Sequence, residues 1–224
     1  LYPLVLTIIK LFAFRHFLFG LYTWRFFMER FTIRKNDYLS EHTLVYYHQP
    51  YLHYQEPGNP DFLNVLKNLI NNEGQRRIDA ARQEVYDIVH KDLPAIMEER
   101  QLDEAVIVVV PRSKVFTRPS QLGFRLTIQD CVRMLRANGY PNMIDGTECI
   151  KRHTETKTTH LHNPLRGYFN NGPKPYKGIT RDTCHINADM VRDKVVILVD
   201  DIYTPKVNID EDCAQALLDA GAKR

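Results

Sequence analysis

The amino-acid sequence predicts an α/β fold, in which helices flank a mostly parallel β-sheet. Two short aliphatic runs, residues 105–110 and 195–199, are too short for most helices and lack polar alternation, as is typical of strands buried on both faces. A loop and then a helical pattern of apolar residues follow each run, so strands alternate with helices along the chain. We therefore expect parallel strands that are joined by crossover helices.

Four helices and one further strand complete this expectation. Their apolar residues recur at helical spacing, and Gly or Asn residues stand near several of their ends. The helices are expected at residues 60–70, 76–90, 120–138 and 209–220, and the strand at residues 142–150. The chain stops just after the last helix, so we expect the final strands of the sheet to lie beyond residue 224.

The first 58 residues differ from the rest of the chain. Residues 1–31 are dense in aliphatic and aromatic side chains, but Lys and Arg residues interrupt every window that is long enough for a transmembrane helix. The pattern predicts helices that pack on the domain or on a partner protein. A basic, aromatic helix on a membrane surface or on nucleic acid is the alternative. We thus divide the chain into a hydrophobic, basic helical extension, residues 1–58, and a domain, residues 59–224.

Two acidic residues, Asp200 and Asp201, directly follow the second aliphatic run. Open parallel sheets bind ligands in the crevice beyond the carboxyl ends of their strands, where this pair is expected. The helix that follows would direct its N-terminus to the same place, and helix N-termini attract phosphate groups. Carboxylates repel phosphate but suit hydroxyl groups, so the stretch predicts a ligand with both, such as a sugar phosphate.

Residues 195–204 resemble the signature of type I phosphoribosyltransferases, an aliphatic strand followed by two Asp residues, a hydrophobic residue, any residue and a Thr-rich loop. The nearest subgroup is the ComF type, and similar domains accompany DNA uptake and bacterial anti-phage systems such as retrons. The resemblance implies that the two acids hold the ribose hydroxyls of phosphoribosyl pyrophosphate and are the catalytic residues. The loop that would surround the 5′-phosphate comprises Tyr203, Thr204, Pro205, Lys206, Val207 and Asn208.

This loop departs from the family pattern after Thr204. Pro205 removes a backbone donor, and Lys206 replaces a glycine that would tolerate unusual φ angles. Asn208 replaces a hydroxyl residue, although it remains a good residue to begin a helix. Lys206 either supplies a positive charge to the phosphate or fills the phosphate site itself.

Arg112, Ser113 and Lys114 follow the first aliphatic run. In the resembled family the loop after the first core strand binds pyrophosphate, and two cations with a hydroxyl suit that role. The basic segment at residues 151–162 would be a solvated loop on its composition alone. The resemblance implies instead a mobile loop that closes over pyrophosphate, with Arg152, Lys157 and His160 as its ligands.

The implied reaction is the displacement of pyrophosphate from C1 of phosphoribosyl pyrophosphate by a nitrogen nucleophile or by water, which is a glycosyltransferase activity. Mg²⁺ is the expected cofactor, held through substrate oxygens rather than directly by protein ligands. No motif identifies the acceptor.

A second hypothesis is a catalytically degenerate effector or sensor that docks on a protein or nucleic-acid complex in DNA uptake or anti-phage defence. Residues 1–55 would then contact a protein partner or a second copy of the chain, and nucleic acid would be reached through a partner. Binding to a membrane is not expected. The four cysteines are widely separated, which favours reduced thiols and a cytoplasmic location over disulfides or zinc.

Overall fold

The structure is a computed structural model that describes residues 7–14, 28–52, 55–159, 161 and 165–223, the first of these ranges by its backbone alone. Its strands are β1 (Thr7–Phe14), β2 (Glu29–Ile33), β3 (Thr43–Tyr51), β4 (Ala105–Val109), β5 (Met143–Asp145), β6 (Ile150–Arg152), β7 (Cys184–Ile186) and β8 (Val196–Tyr203). Its α-helices are α1 (Phe62–Lys67), α2 (Gln75–Glu99), α3 (Gly123–Ala137), α4 (Ile179–Thr183), α5 (Ala188–Val191) and α6 (Ile209–Asp219).

Six of the strands form one sheet in the order β2-β3-β1-β8-β4-β5. The pairs from β3 to β5 are parallel, and only the edge strand β2 runs antiparallel to its neighbour β3. Strands β6 and β7 pair with each other in a separate two-stranded sheet. The α/β class with a mostly parallel sheet is therefore confirmed.

Strand β4 shows why the aliphatic runs lie at the centre of the sheet. Ile107 and Val109 pack in one core cluster together with residues of α2 and α3, whereas Val106 and Val108 pack in another with residues of α6. Helices thus cover both faces, and neither face can tolerate a polar side chain. Burial of each such side chain contributes about 1.5–3 kcal/mol before the entropic cost of folding.

The helical extension predicted for the N-terminal residues is wrong over Thr7–Phe14, which form β1. This strand pairs in parallel with β3 on one side and with β8 on the other, so residues on both sides of residue 58 belong to one sheet. An apolar run of this length fits a helix or a strand equally well by pattern, and pairing to two neighbours decides for the strand. Residues 1–6 and 15–27, which hold the rest of the predicted helices, lie outside the described residues.

Helix α2 also differs from the prediction, because it continues through Pro94 to Glu99. Leu93 and Ile96, on either side of the proline, are fully buried. Their burial offsets the backbone hydrogen bond that the proline cannot make. None of the helices in the described ranges is long and apolar enough to cross a membrane.

Candidate functional site

A cleft of about 680 Å³ opens at the carboxyl ends of β4 and β8. The loop after β4 lines one side of it, and the acidic end of β8 lines the base. Helix α1 with residues 156–159 and 161 completes the walls. The cleft therefore occupies the position in which open parallel sheets bind their ligands.

Asp200 and Asp201 both line this cleft. They lie within β8, which continues to Tyr203 rather than ending before the acids. One carboxylate oxygen of Asp201 accepts a hydrogen bond from the backbone N–H of Ile202 at 2.8 Å. Its other oxygen lies 3.4 Å from Nζ of Lys67, and both side chains are 22% exposed.

Arg112 brings a positive charge to the cleft beside these acids. Its guanidinium donates to the backbone carbonyl of Gln121 and lies 4.1 Å from the ring centroid of Phe116. Burial lowers the pKa of Arg112 to about 10, and the negative charge of Asp201 opposes this shift. Arg112 is therefore still protonated at neutral pH, and its plane is fixed by the aromatic ring beneath it.

Lys114 also lines the cleft, but its ammonium group is already bound within the protein. Nζ donates to the backbone carbonyl and to the side-chain oxygen of Asn171, each at 2.7 Å, and lies 3.7 Å from the carboxylate of Glu155. The side chain is only 4% exposed. Asn171 thus occupies two of the three donors of this ammonium group.

Asn171 belongs to the strap, which we define as residues 165–173. The hydroxyl of Tyr168 lies 2.6 Å from Oγ1 of Thr158, which in turn lies 2.5 Å from Oγ of Ser113. Asn170 exchanges hydrogen bonds with the backbone N–H and carbonyl of Thr158, at 2.7 and 3.0 Å. The strap thereby fixes the positions of both Ser113 and Thr158 at the cleft wall.

The predicted mobile loop is held by similar contacts. Arg152 donates to the backbone carbonyl of Arg112 and to Oγ1 of Thr183, the latter at 2.6 Å, so it joins the β4 loop to α4. Lys157 lines the cleft, and its backbone N–H donates to the carbonyl of Pro173 at 2.9 Å. His160 lies outside the described residues.

The loop predicted to surround a 5′-phosphate is divided between two sides. Thr204 and Val207 line the cleft. The other four predicted residues border a separate depression of about 490 Å³, which we call the hollow. These four residues are Tyr203, Pro205, Lys206 and Asn208.

Lys206 is in the left-handed region of backbone conformation, with φ at 71°. Asn208 is also in the left-handed region, and it occupies the first position before α6 without capping the helix through its side chain. Its amide instead donates to the carbonyl of Lys206 at 3.3 Å. Two residues with side chains, Lys206 and Asn208, therefore hold this loop in a backbone conformation that is strained for them.

The first turn of α6 carries three buried acids, which the sequence analysis did not single out. Asp212 accepts hydrogen bonds from the backbone N–H groups of Gly178 and Thr180, and Glu211 accepts one from the hydroxyl of Tyr203 at 3.0 Å. Asp210 lines the cleft. Carboxylates at a helix N-terminus use the positive end of the helix dipole, so this end attracts a phosphate less strongly than a helix without them.

Helix α1 forms the wall that faces the charged loop, and sequence reasoning assigned it no functional role. Asn64 and Lys67 reach the cleft from this helix, one turn apart. Between the two polar groups the wall is apolar. The apolar residues here, from residues 63–69 and from residues 122–124 at the start of α3, are Leu63, Leu66, Leu69, Leu122 and Phe124. One signal was present in the sequence, because Asn64 and Lys67 fall on the polar side of the helical stripe.

Within the described ranges, no group of three or more His, Cys, Asp or Glu side chains is placed to hold a metal ion. Asp200, Asp201 and Asp210 line the same cleft and could face a cation that a ligand carries. Comparisons of the chain with protein-family models, with curated proteins and with solved structures found no match. The geometry of the cleft is therefore the basis for assigning a function.

Proposed function

We propose that the cleft binds phosphoribosyl pyrophosphate and that the chain transfers or hydrolyses its phosphoribosyl group. One observation carries this proposal. The cationic loop after β4 and the acidic pair of β8 lie on neighbouring parallel strands and line one cleft of about 680 Å³. A ligand that joins ribose hydroxyls to a pyrophosphate matches this arrangement of charges, because hydroxyls bind carboxylates and phosphates bind cations.

Asp200 and Asp201 would accept hydrogen bonds from the ribose hydroxyls. The cation of Arg112 would hold pyrophosphate oxygens, and the hydroxyl of Ser113 would donate to them. A nucleophile then attacks C1 as the bond from C1 to the pyrophosphate oxygen breaks, and pyrophosphate leaves with the electron pair. The negative charges of the two acids favour the positive charge that develops on the ribose ring.

The residues present fit a magnesium ion only as part of the substrate. Mg²⁺ that is bound to pyrophosphate oxygens would neutralise charge on the leaving group. Asp200 and Asp201 would interact with such a hydrated ion indirectly, through its water molecules or through the ribose hydroxyls. The protein itself contributes the shape of the cleft and the fixed position of Arg112.

A second candidate function is a sensor that binds the same ligand without turnover. Two features favour it, namely the engagement of Lys114 by Asn171 and the acids at the start of α6. Both reduce the positive charge that is available to phosphate groups. Such a chain would act as an effector on a protein or nucleic-acid complex.

Pyrophosphate release distinguishes the two functions. The chain is incubated with phosphoribosyl pyrophosphate and Mg²⁺, with ammonia or a mixture of nucleobases as acceptors, and released pyrophosphate is measured over time. Release that requires Asp200 and Asp201 supports the enzyme. Binding of the ligand without release in every mixture supports the sensor, and absence of binding contradicts both.

A further inference from the structure

The hollow lies on the other side of the 203–208 loop from the cleft, between this loop and the edge strand β2. Its volume of about 490 Å³ is within the range of small-molecule sites. Its residues come from two distant parts of the chain, residues 31–36 and residues 203–211. None of these lining residues also lines the cleft.

Glu211 lines the hollow and is only 2% exposed. Its Oε1 atom accepts a hydrogen bond from the hydroxyl of Tyr203 at 3.0 Å. Its Oε2 atom is buried and has no hydrogen-bond partner among the residues that the structure describes. A buried polar atom without a partner costs on the order of 1–3 kcal/mol, so a ligand that donates to this oxygen would recover part of that cost.

An aromatic pair and two cations surround this carboxylate. The rings of Phe31 and Tyr203 lie 5.0 Å apart between centroids and are tilted by 45°, which gives the hollow an aromatic wall. Arg34 and Lys206, both exposed, stand at its border. The hollow thus combines a surface for a planar ring, an acceptor for N–H groups and a positive rim.

We propose that the hollow is a second nucleotide site that binds guanine nucleotides. Among the nucleobases, guanine presents two adjacent N–H donors on one edge, and a carboxylate accepts from such a pair. Adenine and cytosine place a ring acceptor beside their amino group, which a carboxylate repels, and uracil has one N–H between two carbonyls. The ring would pack on Phe31 and Tyr203, and the phosphate would meet Arg34 and Lys206.

The test is a titration of guanosine monophosphate and adenosine monophosphate into the whole chain. We expect guanosine monophosphate to bind at least about tenfold more tightly, as one well-placed pair of charge-assisted hydrogen bonds would give. Glu211→Gln should remove this preference, because its amide retains one acceptor for Tyr203 but presents donors to the base. Arg34→Ala, at an exposed position, should weaken the binding of both nucleotides to the same extent. This variant keeps the test valid if Glu211→Gln does not fold.

Two further outcomes separate this site from the cleft. The double variant Asp200→Asn with Asp201→Asn should bind guanosine monophosphate as the unaltered chain does. A saturating concentration of phosphoribosyl pyrophosphate should not displace the nucleotide. Equal affinity for the two nucleotides, unchanged binding in Glu211→Gln and Arg34→Ala, or competition with phosphoribosyl pyrophosphate would each overturn the proposal, whatever the fate of the proposed function.

Discussion

The loops after β4 and β8 enter the same cleft from neighbouring parallel strands, yet the charged side chains that they bring to it are of opposite sign. The β4 loop presents cations, of which Arg112 faces the acidic pair and Lys114 is bound to the strap. The β8 loop leads into a helix whose first turn carries three buried acids. Position at the sheet edge therefore does not decide what a loop binds, because the charges of the following residues decide it.

The difference suggests that the two loops contribute unequally to affinity. A pyrophosphate at the β4 loop meets the half-buried guanidinium of Arg112 in a fixed orientation. A phosphate at the β8 loop meets Thr204 and Val207 in the cleft, with Asp210 close to the helix start. We therefore expect the affinity for phosphate groups to come mainly from the β4 loop.

Replacement of Arg112 is expected to have the largest effect. Arg112→Leu removes the guanidinium while keeping an apolar side chain against Phe116, and it should weaken pyrophosphate binding by about 2–3 kcal/mol, as for a charge-assisted contact. Isothermal titration with inorganic pyrophosphate measures this. Arg118→Leu, an exposed residue outside the cleft, is the matched control and should change affinity by less than about twofold. Equal losses in both variants would mean that only net charge matters.

Release of Lys114 from the strap is expected to have a smaller and opposite effect. Asn171→Ala removes one of the two acceptors of the Lys114 ammonium group. That group should then become available, and pyrophosphate should bind more tightly by about 1 kcal/mol. Asn138→Ala, which removes a side-chain hydrogen bond at the end of α3, is the control. Weaker binding in Asn171→Ala would show that the strap positions Lys114 for the ligand instead of competing with it.

The smallest expected effect concerns the strained backbone of the β8 loop. Lys206 has φ at 71°, so Lys206→Gly should relieve strain and raise the free energy of unfolding by about 0.5–1 kcal/mol. Urea denaturation measures the change. Lys35→Gly, at an exposed loop position without a positive φ, should not stabilise the chain. If Lys206→Gly also weakened pyrophosphate binding tenfold, the side chain would contribute to the cleft after all.

The elements that the sequence predicted well are those specified by local pattern. The runs that became β4 and β8 are continuous and aliphatic, and α3 and α6 have clear helical spacing. Strand β1 was missed because its apolar residues are compatible with either structure. Its assignment depends on the edges of β3 and β8, which lie far away in sequence.

The site was predictable to a similar degree. The two aspartates and the β4 loop could be placed together because they follow two buried strands of one sheet. The strap could not be predicted, since Lys114 and Asn171 are separated by 57 positions and residues 165–173 have no periodic pattern. The acids of α6 looked like ordinary polar residues at a helix start, and only folding shows that they are buried.

The most direct test of the central proposal is a titration of phosphoribosyl pyrophosphate with Mg²⁺ into the chain and into the double variant Asp200→Asn with Asp201→Asn. We expect saturable binding to the unaltered chain and a loss of at least about a hundredfold in the variant, since two charge-assisted contacts disappear. Thermal unfolding should show that the variant remains folded. Equal binding by a folded variant, or no binding by the unaltered chain, would contradict the proposal that this cleft holds the ribose.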